Sequence, residues 1–256
     1  VARKVYYEQP LNERTRIFLR LEFLFRQAAE HLTGASEWDS RSTLGSLLEV
    51  LNIFGRTDLK TEVMKELDRH IQNLARLEQN PGVDRERLVG IIEELEQLID
   101  RLHSINGQIH ASLKTNEFLT SVQQRSGIPG GTCDFDLPEY HYWLQQPAEK
   151  RIRDLAGWLH NFDAIAEAIQ LVLRLTREST AMQPVRAEGG FFQKSLDPNF
   201  PCQLVRVALP ANAPYFAEIS GGRHRFTVRF LELPQLDQRP TPTREDVSFE
   251  LGCCAI

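Results

Sequence analysis

The chain has 256 residues, 41% hydrophobic and 25% charged, close to the averages of soluble globular proteins, so neither a disordered polyelectrolyte nor a membrane protein fits. Thirty Lys and Arg against 35 Asp and Glu leave a net charge of −5, which excludes a generic polyanion binder held by long-range attraction; an anionic partner has to meet a local basic patch. No apolar run approaches the roughly 18 residues of a spanning helix, and the N-terminal segment is rich in Arg and Glu instead of carrying a signal-peptide core, so a cytoplasmic protein is expected.

Apolar residues recur with a helical period from about residue 11 to about residue 180. In the first helix, Leu11 to about His31, the residues Ile17, Phe18, Leu21, Leu24, Phe25 and Ala28 make one apolar face, and Leu19 and Phe23 add a second stripe that predicts contact on two sides. A helix over about Ser42 to Phe54 ends at Gly55, a residue suited to the left-handed conformation past a helix end. Leu59, Val63, Leu67, Ile71 and Leu74 form a single stripe, Asn80-Pro81-Gly82 forces a turn, and Asp84 caps a helix carrying Leu88, Ile91, Leu95, Leu98 and Leu102. These two segments predict a long antiparallel helical hairpin. After a polar break at Ser104 to Gly107, a helix is expected from about Thr115 to Arg125, then a short one opened by Asp136-Leu137-Pro138 with Asp136 as cap, and a last stretch from Pro147 to about Glu178 with a joint at Asn161.

From Pro184 onward the chain carries eight of its 13 prolines, and the apolar period changes to two. Gln203 to Leu209, Arg225 to Leu231 and Asp246 to Leu251 alternate as half-buried antiparallel strands. The expected fold is α+β: an all-α helical domain over residues 1–180, then a small, barrel-like antiparallel β domain over residues 181–256. Residues 4–8, around Val5-Tyr6-Tyr7, are candidates to pair with that β domain.

The common phosphate-cradling, nucleophile and metalloprotease motifs are absent. The seven histidines are scattered, with no pair at i and i+4, and the four cysteines include no Cys-x-x-Cys, so neither a metal nor a cofactor is expected and the thiols read as reduced. An enzyme is not expected. The informative charges are basic. Arg16 and Arg20 point from neighbouring turns of the first helix. Arg223, Arg225 and Arg229 share one parity, so one strand face is positive while Phe226, Val228 and Phe230 fill the other. Two outcomes stay open for that face. Asp246, Ser248 and Glu250 of the last strand could lie opposite and pair with it, or the arginines could meet a peptide-sized or acidic ligand. A long nucleic acid is disfavoured, because residues 181–256 hold eight basic and eight acidic side chains.

An ordered series of segments then carries a resemblance that runs nearly end to end: Glu8-Gln9-Pro10-Leu11-Asn12-Glu13, Arg20-x-Glu22-Phe23-Leu24, Lys65-Glu66-Leu67-Asp68-Arg69, Pro81-Gly82-Val83-Asp84, Ile128-Pro129-Gly130-Gly131-x-Cys133-x-Phe135-Asp136-Leu137-Pro138 and Phe249-Glu250-Leu251-x-Cys253-Cys254. With these the chain resembles the ZapD family, the Z-ring-associated cell-division proteins of gamma- and betaproteobacteria. The resemblance implies an all-helical N-terminal domain joined to a β domain, a homodimer, no enzymatic activity, and recruitment to the midcell Z-ring. The implied partner is the C-terminal tail of the tubulin-like protein FtsZ, whose filaments the dimer cross-links and bundles. No membrane partner and no nucleic acid are implied.

Basic residues are implicated in holding the tail, and the matching positions here are Arg16, Arg20, Arg56, His141, Arg225 and Arg229. Arg223 adjoins the strand pair. Where a basic residue is expected near the start of the helix at residue 117 this chain has Glu117, with Lys114 three residues earlier. The alternative reading is a module that binds nucleic acid or a phosphorylated ligand through the same arginines.

Overall fold

The computed structural model describes residues 3–77, 82–105, 107–199, 201–233 and 235–255. The chain divides into two compact units, Leu19–Val172 and a second made of Val1–Phe18 with Leu173–Ile256, so both boundaries fall inside helices.

The helical unit begins within α1 (Glu13–Leu32) and continues through α2 (Glu37–Phe54), α3 (Leu59–Ala75), α4 (Arg85–Ser104), α5 (Ala111–Lys114), α6 (Glu117–Ser126), α7 (Pro138–Leu144) and α8 (Ala148–Leu159). A 3-10 turn at His160–Phe162 then leads into α9 (Asp163–Glu178). Side-chain caps explain four of the starts. Ser36 and Asp39 form a reciprocal capping box that opens α2. Asp58, Asp84 and Asn116 each accept a backbone N–H three residues on, at the starts of α3, α4 and α6.

Several expectations shift. The α2 helix starts five residues before Ser42, because the capping box lies upstream of the apolar stripe. Gly55 is right-handed (φ −67°), since the chain passes directly into the turn before α3. The cap of α7 is Leu137, not Asp136, which places Pro138 at the first helical position. Phe23 is 56% exposed, so the second stripe of α1 is not covered there. The predicted turn residues Asn80 and Pro81 lie outside the described residues.

The core of this unit is built from Leu21 and Leu24 of α1, Leu44, Leu47 and Leu51 of α2, Val63 and Leu67 of α3, Leu95 and Leu102 of α4, and Phe162, all buried. Each such side chain contributes about 1.5–3 kcal/mol by leaving water. Phe54 and Phe162 meet edge to face at 5.0 Å.

In the second unit, β1 (Lys4–Pro10), β2 (Gln183–Ala187), β3 (Phe191–Ser195), β4 (Leu204–Pro210), β5 (Tyr215–Gly221), β6 (Arg225–Glu232), β7 (Thr241–Pro242) and β8 (Val247–Cys254) form two antiparallel sheets. One has the order β1-β4-β8-β2; the other has β3-β6-β5, with β7 added to β6. Strand β1 pairs with β4 over Lys4 to Pro10, Tyr6 standing opposite Ala208. Both sheets contribute to one apolar core: Val205, Val207 and Leu209 of β4, Val247, Phe249 and Leu251 of β8, and Phe226, Val228 and Phe230 of β6. The alternation read in the sequence is therefore what seats β6 and β8. On β4 it is masked, because Leu204 and Ala208 are also buried.

Candidate partner-binding surfaces

The alternation of β6 buries Phe226, Val228 and Phe230 completely and leaves Arg225 and Arg229 exposed. The strands beside them are β3 and β5. Arg225 lies opposite Ser195, while Arg229 lies opposite Phe191 on one side and Glu218 on the other. This overturns the pairing with β8. That strand hydrogen-bonds to β4 and β2 in the other sheet, where Asp246 binds Arg186 at 2.6 Å and Glu250 binds Lys4 at 2.6 Å. The Gly189 N–H and the Arg186 guanidinium hold the Asp246 carboxyl below its ordinary range. Arg223 stands in the turn between β5 and β6, exposed like Arg225 and Arg229. No described residue makes an ion pair with any of the three. Phe191, 44% exposed, adds an apolar contact beside Arg229 on the same face.

On α1, Arg16 lies 3.3 Å from Glu13, so it is partly neutralised within its own helix. Arg20, one turn on, is exposed and has no partner among the described residues.

Two predicted residues in the helical unit are brought together. Arg56, just past α2, and Lys114, at the end of α5, line the same cavity of about 650 Å³, with Asp58, Lys60, His103 and His110. A second cavity of about 370 Å³ shares Arg56, His110 and Lys114 and has apolar walls from Leu51, Leu113 and Leu119. Glu117 occupies the first turn of α6, three residues beyond Lys114. His141 is exposed on α7 and lines neither of these cavities.

The α7 helix is fixed beneath His141 by an aromatic cluster. Phe118 stacks on Trp158 at 5.7 Å, Trp143 packs on Tyr140 at 6.0 Å, and the Trp143 Nε1–H donates to Asp154 at 2.9 Å. Arg41 lies over the Tyr140 ring at 4.9 Å. Burial pushes the Tyr140 hydroxyl up to about 12.

Sequence reasoning missed Arg41 and His110. Arg41 precedes the apolar stripe by which α2 was recognised. His110 falls in the polar stretch before α6, where no periodicity marks a buried position. Among the described residues no group of three or more His, Cys, Asp and Glu could hold a metal ion, and no described helix is long and apolar enough to cross a membrane.

Comparison with known proteins bears on what these surfaces do. A family model described as "ZapD: Cell division protein" matches residues 19–229. A cell division protein ZapD of Methylococcus capsulatus is 44% identical over 253 residues, covering 99% of both chains. One from Coxiella burnetii is 39% identical over 257 residues, covering 100% of both. One from Azoarcus is 36% identical over 252 residues, covering 98% of this chain and 100% of the relative.

Proposed function

The chain belongs to the ZapD family of cell division proteins, and on that premise we propose that it captures the C-terminal tail of FtsZ and, as a homodimer, cross-links and bundles FtsZ filaments to promote and stabilise the Z-ring. The observation that carries this reading is the arginine face of β6. Arg225 and Arg229 are held outward by a strand that buries Phe226, Val228 and Phe230 on its other face, they have no ion pair among the described residues, and Phe191 lies opposite Arg229. Such a face offers charge-assisted hydrogen bonds to an acidic or carbonyl-rich peptide, with apolar contact beside them.

The proposed tail contacts are Arg16, Arg20, Arg56, Lys114, His141, Arg223, Arg225 and Arg229. Each tail site need only be weak. Two sites on a dimer gain avidity from a filament that presents many tails at high local concentration. The protein would act in the cytoplasm and gather at midcell wherever FtsZ polymerises. Nucleic-acid binding is the weaker reading: residues 181–256 hold as many acidic as basic side chains, and Phe226 and Phe230 are fully buried and cannot stack on bases, which leaves Phe191 as a single exposed ring beside Arg229 where a strand of bases needs a row of them. Fluorescence anisotropy with a labelled FtsZ tail peptide and a labelled oligonucleotide separates the two. Tail binding with no comparable oligonucleotide binding supports the proposal, and the reverse order of affinity rejects it.

A further inference from the structure

His110 is 4% exposed, and neither of its ring nitrogens has a hydrogen-bond partner. A buried imidazole is normally satisfied on at least one nitrogen. This one packs edge-on against Phe54 at 5.8 Å and lines both cavities described above. The larger cavity sets three cationic side chains, Arg56, Lys60 and Lys114, against the single carboxylate of Asp58. That carboxylate is already committed to capping α3, accepting from the Thr61 hydroxyl at 2.7 Å and the Thr61 N–H at 3.3 Å. Lys60 donates to the Ile105 carbonyl at 2.6 Å and Lys114 to Gln108 at 3.2 Å, so both ammonium groups are held in place at the cavity wall. The Arg56 guanidinium has no hydrogen-bond or ion-pair partner among the described residues.

We propose that these two adjoining cavities form a binding site for a small phosphomonoester, its phosphoryl group held by Arg56, Lys114 and the His110 ring and its organic part seated against Leu51, Leu113 and Leu119. The charge balance decides between anions. Three cations against one carboxylate leave two positive charges, which a phosphomonoester dianion neutralises and a lone carboxylate does not. A phosphoryl group also has enough acceptor oxygens to meet a guanidinium, an ammonium and an imidazole N–H together. The smaller cavity, which shares Arg56, His110 and Lys114, adds Leu51, Leu113 and Leu119 as apolar wall beside the polar Asn52, Thr120 and Gln123, a mixed lining suited to the body of such a ligand. Burial and the neighbouring Lys114 hold the His110 ring below its ordinary pKa. It is therefore neutral at pH 7, with one N–H to give and no charge to repel the flanking cations.

The site shares Arg56 and Lys114 with the proposed tail contacts, but it does not require tail capture and is tested without FtsZ. Isothermal titration of the full chain uses phenyl phosphate as probe and benzoate as a monoanion of similar shape. The expected result is saturable binding of phenyl phosphate, weaker by about tenfold or more in Arg56→Ala, weakened several-fold in His110→Gln and unchanged in Arg225→Glu, with benzoate also at least about tenfold weaker. Circular dichroism of each variant confirms that it is folded. No saturable binding to the wild type, or equal binding to the wild type and a folded Arg56→Ala, overturns the site. Benzoate binding as tightly as phenyl phosphate overturns the phosphoryl assignment.

Discussion

The Glu8 carboxylate of β1 is gripped by Arg177 of α9, which donates from Nε and Nη2 at 2.9 Å each, while Arg206 of β4 donates from Nε at 2.9 Å. The three side chains are between 17% and 24% exposed. Removing the carboxylate takes from both guanidinium groups the anion they share at a site that is mostly shielded from water. Glu8→Ala is expected to lower the unfolding free energy by about 3 kcal/mol, read as a lower urea midpoint. A change within 0.5 kcal/mol, roughly that of an ordinary surface substitution, would mean that solvent already satisfies the arginines.

Phe230 is the second structural test. It is fully buried and touches rings from both sheets, Phe249 at 5.0 Å and Tyr215 at 5.8 Å. Phe230→Ala removes a core ring and leaves a void, so a loss of about 3–5 kcal/mol is expected. The same strand carries Arg229 on its opposite face. Arg229→Ala should leave stability within about 0.5 kcal/mol, and thermal unfolding of the pair separates the two faces of β6.

These two faces also show how much of the molecule the sequence makes legible. Period-two alternation identifies β6 and β8 and says which side of each is buried, because each presents one face to a shared core. It does not reveal which strands are neighbours. Asp246 and Glu250 are therefore natural partners for the arginines on paper, whereas the register puts Glu218 and Phe191 there and commits the β8 acids to Arg186 and Lys4. Strands β2, β3 and β5 escape because Pro184 stands inside β2, and β3 and β5 each open on two adjacent aromatic residues, Phe191-Phe192 and Tyr215-Phe216, which break the alternation. Among the helices, periodicity finds each long element, but starts are set by caps such as Ser36 that stand outside the apolar stripe. His110 and its cavity are invisible in sequence, since the surrounding stretch has no period and its walls come from distant segments.

His70 makes stability depend on pH. It is fully buried on α3, and burial lowers its pKa from 6.5 to about 4, with Glu66 opposing the shift and Arg69 adding to it. The folded value lies below the unfolded one, so the unfolded chain takes up a proton first as pH falls. The stability associated with the neutral ring is complete above pH 6.5 and is lost between pH 6.5 and about 4, on the order of 3 kcal/mol over the whole window. His70→Leu should lose about 2 kcal/mol less than the wild type between pH 7 and pH 5 in urea titrations. Parallel losses in the two proteins would remove His70 as the cause.

Cys253 supplies a chemical test of the β unit. The neighbouring Cys202 thiol and the Lys194 ammonium hold its pKa below the ordinary thiol range, while burial pushes Cys254 up to about 11. A lowered pKa means more thiolate at neutral pH. Alkylation by iodoacetamide at pH 7, followed by peptide mass spectrometry, should label Cys253 before the more deeply buried Cys254, and Lys194→Ala should slow the labelling of Cys253. Labelling of Cys253 at the same rate in the wild type and in Lys194→Ala would contradict the assignment.

Proposed tail capture rests on exposed charges, so it is screened by salt. FtsZ bundling by this protein should weaken steadily between low and moderately high salt, at concentrations where circular dichroism shows no unfolding. Light scattering against salt concentration measures it, and bundling insensitive to salt would point to an apolar interface.

The most direct measurement is co-sedimentation of polymerised FtsZ with the variant Arg225→Glu/Arg229→Glu. The fold should survive, since neither arginine has an ion-pair partner among the described residues and both lie on the exposed face of β6. The expected result is a folded protein of unchanged oligomeric state that no longer pellets FtsZ bundles at low-speed centrifugation. Bundling equal to the wild type would contradict the account and remove the β6 face as the surface that meets FtsZ.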